Sequence, residues 1–71
     1  MPYATYTTVE GFTVNAYDQG ADWEVRCCPR FSNWYTKWSF APAEVSLESA
    51  FERFIEMHFN EKFNKDKIVV K

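Results

Sequence analysis

The spacing of apolar residues changes once along this chain, and that change constrains the fold more than any other feature. In residues 12–17, 23–28 and 34–40, side chains alternate between two faces, which is typical of β-strands. From Leu47 onward the apolar period is about 3.6 residues, which is typical of an amphipathic helix. The 71 residues have room for a single domain, residues 1–71. The pattern predicts an α+β fold: a three- to four-stranded antiparallel β-meander, followed by one C-terminal amphipathic α-helix packed on one face of the sheet.

Turn residues and strand breakers divide the chain into elements. Glu10-Gly11 favours a tight hairpin, and the Pro of Ala41-Pro42-Ala43 stops the last strand. Ser46 or Ser49 provides a helix cap. The predicted strands cover residues 3–9, 12–17, 23–28 and 34–40, and the predicted helix covers residues 46–62. Residues 68–70 form either a short extra strand or a tail that folds back.

Composition and charge narrow the classes of function. Fourteen aromatic residues, 20% of the chain, are more than one small core can easily hide. The net charge of −2 argues against direct binding of a nucleic-acid backbone, because that binding requires clustered cations. No apolar run approaches the ~20 residues of a membrane span, and the first residues do not resemble an export signal. We therefore expect a cytoplasmic protein with no membrane partner.

Residues that carry catalytic or metal chemistry are sparse. The adjacent Cys27 and Cys28 lack the spacing of a zinc or redox motif, and we expect two reduced thiols whose role the sequence leaves open. The single histidine, His58, falls on the apolar stripe of the helix, and no glycine-rich phosphate loop is present. The sequence predicts no catalytic residue, no metal site, no cofactor and no enzyme activity.

The glutamates of the predicted helix recur at intervals of four, although like charges at that spacing repel by roughly 0.2–0.5 kcal/mol per pair. Either the helix dipole favours the first of them and the rest are solvated, or they form an acidic edge that meets a basic partner. Two phenylalanines lie off the apolar stripe, towards the glutamates. They are either covered by residues 68–70 or exposed as binding residues. The predicted partner-binding residues are Glu48, Glu52, Glu56, Phe59 and Phe63.

These observations favour a small acidic regulator or inhibitor that binds protein. It would occlude a basic, nucleic-acid-binding surface, with carboxylates occupying the sites that phosphates would use. Size, acidity and surplus aromatics are similar in style to small accessory proteins of phages and mobile elements, anti-CRISPR proteins included. The identity of the partner and the source organism stay open.

Two other functions use the aromatic surplus differently. The sheet could bind single-stranded nucleic acid, with bases stacked on aromatic rings and cations against phosphates. Alternatively, two copies could pair their aromatic residues across a two-fold axis as a homodimer. The predicted nucleic-acid face comprises Tyr17, Arg26, Tyr35 and Lys37.

Overall fold

The computed structural model describes residues 1–28, 34 and 37–71. It contains a five-stranded antiparallel sheet and one C-terminal helix packed against it, so the predicted α+β class is confirmed, but the sheet has five strands and not the predicted three to four. The spatial order of the strands is β4-β3-β2-β1-β5. The elements are β1 (Ala4–Thr7), β2 (Thr13–Asp18), β3 (Asp22–Cys28), β4 (Lys37–Pro42), helix α1 (Leu47–His58), a 3₁₀ turn (Lys65–Lys67) and β5 (Val69–Val70).

The fifth strand closes the edge that the meander would leave at β1. Val70 pairs with Ala4 and Val69 pairs with Thr5, which places β5 antiparallel to β1. An edge strand presents unpaired backbone groups, and a short added strand satisfies some of them. The extra strand considered for residues 68–70 therefore exists over two residues, while Ile68 packs against the core instead.

The connection between β1 and β2 is longer than the predicted two-residue turn. Thr8 is buried, and its hydroxyl accepts a 2.9 Å hydrogen bond from the backbone N–H of Phe12. The N–H of Gly11 donates to the carbonyl of Thr8, and Gly11 has a φ of 97°, which favours glycine. These bonds divert the chain at Thr8. The strand predicted over residues 3–9 is therefore shorter in the structure, and the one predicted over 12–17 is shifted by one residue.

Strand β4, described from Lys37 onward, ends later than the predicted strand over residues 34–40. Residues 35 and 36 lie outside the described part of the chain. Pairing continues past Phe40, because Ala41 lies opposite Trp23 and Pro42 lies opposite Asp22. Pro42 does not stop the strand because β4 is at the sheet edge, where a residue without an N–H is tolerated.

The core forms between one face of the sheet and helix α1. The alternation read from the sequence places Val14 with Ala16 and Val25 with Cys27 on one face, and all four are buried there. Full burial of a large apolar side chain is worth roughly 1.5–3 kcal/mol, so the two helix phenylalanines contribute strongly. The buried apolar residues are Ala4, Tyr6, Val14, Ala16, Val25, Cys27, Ala41, Ala50, Phe51, Phe54 and Ile55.

Helix α1 begins as predicted and ends four residues early. The hydroxyl of Ser46 accepts a 3.1 Å hydrogen bond from the N–H of Ser49, which confirms Ser46 as the cap. At the other end Phe59 adopts an extended backbone, with φ −129° and ψ 146°. A continued helix would carry Phe59 away from the buried stripe, whereas the extended backbone lets its ring contact Phe12 and Phe54. The predicted helix over residues 46–62 is therefore wrong beyond His58.

Candidate functional site on the open face of the sheet

Helix α1 covers one face of the sheet, and the described residues (1–28, 34 and 37–71) place no second α-helix on the other, which we call the open face. Because side chains alternate along a strand, the residues between the core positions point to the open face. The strand register aligns them in two rows across the sheet. One row contains Thr5, Asn15, Arg26 and Trp38, and the other contains Tyr17, Glu24 and Phe40.

Two large aromatic side chains of β4 are exposed on this open face. Trp38 is 52% exposed and Phe40 is 60% exposed. Their ring centroids are 6.5 Å apart, so the two rings form one continuous apolar surface. We call Tyr17, Trp38 and Phe40 the aromatic patch. Exposed apolar residues that lie together, rather than singly, are characteristic of interaction sites.

A buried carboxylate lies beneath the patch. Glu24 is 5% exposed, and its Oε1 accepts hydrogen bonds from Arg26 (2.6 Å) and from the Gln19 amide (2.8 Å). Its Oε2 accepts a 2.8 Å hydrogen bond from the indole N–H of Trp38. The hydrogen bond from Arg26, helped by those from Trp38 and Gln19, lowers the pKa of Glu24 despite the opposing effect of burial. Glu24 therefore stays charged at neutral pH and holds its three donors in place.

The guanidinium of Arg26 links the ring of Tyr17 to that of Trp38. Its central carbon lies 4.2 Å from the centroid of Tyr17 and 5.1 Å from that of Trp38. Both distances are within the range of a cation–π contact. The same guanidinium pairs with Glu24, so its charge is largely neutralised within the fold. The aromatic patch is thus held by a hydrogen-bonded and stacked network.

The predicted nucleic-acid face does not assemble as a unit. Lys37 pairs with the buried Cys27, so it lies on the face that helix α1 covers, and its ammonium is 5.6 Å from the ring of Phe59. Tyr17 and Arg26 lie on the opposite face, and Tyr35 lies outside the described residues. The grouping of Lys37 with Tyr17 and Arg26 is therefore wrong. The residue opposite Arg26 is Trp38, which was not among the predicted site residues.

The predicted acidic edge is present, but its aromatic half is used elsewhere. Glu48, Glu52 and Glu56 are exposed, and none forms an ion pair with another described residue. Phe63, by contrast, stacks on buried Tyr6 with a centroid distance of 5.5 Å and an interplanar angle of 14°. Phe59 and Phe63 are both partly buried against the core. Carboxylates and rings therefore do not form one continuous surface, because the helix ends before Phe59.

The remaining reactive side chains are two cysteines and one histidine. Burial is the main cause that raises the pKa of Cys27 to about 11, and the neighbouring Cys28 adds to the shift. This thiol is therefore protonated at neutral pH. Cys28 is partly exposed, and neither cysteine is in a disulfide. The ring of His58 packs on that of Phe54 with a centroid distance of 4.6 Å. Burial lowers the pKa of His58, and the positive charge of Lys37 lowers it further.

The described residues contain neither a metal-binding cluster nor a membrane-spanning helix. Across 1–28, 34 and 37–71, no three His, Cys, Asp or Glu side chains lie close enough to hold a metal ion. In that same part of the chain, no helix has the length and apolar character needed to cross a membrane.

Comparisons of the chain with protein-family models, with curated proteins and with solved structures found no match. Its own surface chemistry therefore carries the functional inference.

Sequence patterns do contain part of the signal for the open face. Glu24 and Arg26 are two residues apart in an alternating strand, and so are Trp38 and Phe40, which places each pair on one face.

Proposed function

We propose that this chain is a protein-binding module, rather than an enzyme, and that it docks through the open face of its sheet. The observation that carries the proposal is the pair Trp38 and Phe40, side by side and more than half exposed on the face opposite the helix. Tyr17 and Arg26 complete the surface. Trp, Tyr and Arg are the residues most enriched among those that dominate binding energy in protein interfaces.

The partner that fits this face is a protein with an apolar recess bordered by basic groups. The two rings supply the apolar area, and burying the exposed half of each is worth about 1 kcal/mol or slightly more. On the same face Asp22 lies opposite Pro42, beyond the neutralised Glu24–Arg26 pair. Together with the net charge of −2, this carboxylate favours a basic partner through charge complementarity.

The biological role that agrees with this surface is that of a small acidic regulator or inhibitor in the cytoplasm. Its binding would occlude a basic surface that the partner uses for nucleic acid. The small size, the acidity and the aromatic surplus support a phage or mobile-element anti-defence role of the anti-CRISPR kind. In this role Trp38 and Phe40 supply the apolar contact, and the acidic character of the chain selects the basic partner.

A second candidate surface is the acidic edge of helix α1, formed by Glu48, Glu52 and Glu56. The observation in its favour is that these three exposed carboxylates have no ion-pair partner among the described residues. A basic partner would relieve their mutual repulsion. Because helix and open face lie on opposite sides of the sheet, substitutions can separate the two candidates.

The test compares tagged baits in a lysate of the source cells and then measures affinity for each captured protein after purification. Phe40→Ser removes an anchor, and Met57→Ser is the matched control, because Met57 is similarly exposed (67%) but lies on the helix. We expect Phe40→Ser to weaken binding about tenfold, from the loss of about 1.4 kcal/mol, and Met57→Ser to leave it unchanged. Thermal unfolding checks that both variants remain folded.

Other outcomes would assign a different function. If Glu52→Lys with Glu56→Lys abolishes binding while Phe40→Ser does not, the acidic edge is the docking surface. Salt-sensitive binding of the purified chain to single-stranded oligonucleotides would favour the nucleic-acid alternative and contradict the protein-binding proposal. A dimer in light scattering that Phe40→Ser dissociates would identify the occupant of the open face as a second copy.

A further inference from the structure

A groove separates the β1–β2 loop from the segment that follows helix α1. It has a volume of about 540 Å³ and is lined by Val9 and by residues 62–67. This volume lies within the ~300–1,000 Å³ range of small-molecule sites. The groove belongs neither to the open face of the sheet nor to the acidic edge of the helix.

The groove is basic although the chain is acidic. Three lysines, Lys62, Lys65 and Lys67, and one carboxylate, Asp66, line the groove, whereas the whole chain carries −2. Glu61 is paired with Lys67 at 3.7 Å. Lys62 and Lys65 line the groove, are exposed, and form no ion pair with another described residue. Two lysine charges therefore remain available to an anion.

Contacts across the fold hold the walls of the groove in position. The carboxylate of Glu61 accepts hydrogen bonds from the N–H of Val9 at 3.2 and 3.4 Å, which joins the two sides. The hydroxyl of Tyr6 accepts a 3.1 Å hydrogen bond from the N–H of Asn64. Phe63, which lines the groove, is stacked on Tyr6. The site thus offers a fixed aromatic ring beside exposed lysines.

We propose that this groove binds a small anion that carries a planar ring, of the nucleoside monophosphate class. Lysine acts as a point charge for phosphate, so Lys62 and Lys65 are the phosphate-binding residues. Phe63 and Val9 supply apolar contact for the base, because an aromatic side chain accepts the face of any base. The positive charge of the groove is opposite in sign to that of the ligand, and the volume of the groove accommodates a mononucleotide.

The test is a titration of the ¹⁵N-labelled full chain with AMP, followed by amide chemical shifts. We expect saturable shifts at Val9 and residues 62–67, with an affinity that falls as salt rises. Lys62→Gln with Lys65→Gln should weaken binding about tenfold, since two screened charge contacts are lost. Lys71→Gln is the matched control, because Lys71 does not line the groove, and it should bind as the wild type does.

Inorganic phosphate and adenosine, titrated separately, test the two halves of the proposed ligand. Each should bind at least about tenfold more weakly than AMP, because each lacks one of the two contacts. Three results would overturn the proposal: no saturable shifts with AMP, equal binding by the double lysine variant, or equal affinity for phosphate or adenosine alone. The spectra of the variants show directly whether they remain folded.

Discussion

The indole N–H of Trp38, an exposed residue of β4, donates a 2.8 Å hydrogen bond to the buried carboxylate of Glu24 on β3. One side chain thus presents an apolar surface to solvent while its polar atom is fixed inside the fold. The Arg26 guanidinium, bonded to the same carboxylate, lies over the indole ring. A ring held in this way loses less conformational entropy on binding than a freely rotating one. The aromatic patch is therefore preorganised for docking.

Replacement of Glu24 should destabilise the domain. In Glu24→Gln the amide has one acceptor oxygen for three donors, and its NH₂ group faces other donors. We expect a loss of about 2 kcal/mol in the free energy of unfolding, typical for hydrogen bonds to a buried charged group. Urea denaturation measures it. Glu10→Gln, at an exposed carboxylate, is the control and should change stability by less than about 0.5 kcal/mol. Equal effects would show that the network contributes nothing.

The same carboxylate should make stability depend on acid pH. Hydrogen bonds lower the pKa of Glu24 below its ordinary value of 4.5. The bond from Arg26 has the largest effect, and those from Trp38 and Gln19 add to it. A carboxyl with a lowered folded-state pKa contributes stability that is fully present above 4.5 and is lost as pH falls through the folded-state pKa. Urea denaturation at a series of pH values from neutral to acid should show this loss. Glu24→Gln should flatten the curve, and an unchanged slope would contradict the assignment.

Charge reversal in the middle of the acidic edge should stabilise helix α1. Glu52→Lys replaces two repulsions with attractions to Glu48 and Glu56, each four residues away. At roughly 0.2–0.5 kcal/mol for each repulsion lost and each attraction gained, we expect a gain of about 0.8–2 kcal/mol. Glu52→Gln removes only the repulsion and should gain less. Thermal unfolding at low salt is the measurement, and the differences should shrink in high salt. Destabilisation by Glu52→Lys would indicate an undetected partner for Glu52 in the fold.

Removal of the Tyr6 hydroxyl should loosen the segment after the helix. Tyr6→Phe takes away the acceptor of the Asn64 N–H and should cost about 1 kcal/mol. Amide hydrogen exchange at Asn64 should accelerate, while exchange in the middle of β2 and β3 changes only with global stability. Tyr3→Phe is the control, because Tyr3 is an exposed tyrosine near the start of the same strand. Unchanged exchange at Asn64 in Tyr6→Phe would contradict the proposed restraint.

Much of this fold is readable from local pattern. Strict alternation in β2 and β3 places Val14 and Val25 on the buried face, and Ser46 marks the start of the helix. The helix end is not readable in the same way, because no Gly or Pro follows His58 closely. The chain leaves the helix there because Phe59 gains a contact with Phe12, which is distant in sequence. Such a tertiary contact has no local signature.

The open face is harder to predict because β4 carries polar residues, Lys37 and Ser39, on the face that the helix covers and its aromatic residues on the other. Alternation places Trp38 and Phe40 together and Lys37 opposite them, but it does not say which side the helix covers. That choice is fixed by register, with Lys37 opposite Cys27 and Trp38 opposite Arg26. Register depends on the whole sheet, and a one-residue shift exchanges the faces. The lysine was therefore assigned to the wrong surface.

The most direct test of the central claim is amide chemical-shift mapping of the ¹⁵N-labelled chain bound to its purified partner. Docking through the aromatic patch predicts the largest shifts at Arg26, Trp38 and Phe40, including the indole N–H of Trp38, with small shifts along helix α1. Shifts concentrated at residues 48–57, with the Trp38 indole unchanged, would contradict it and place the interface on the helix.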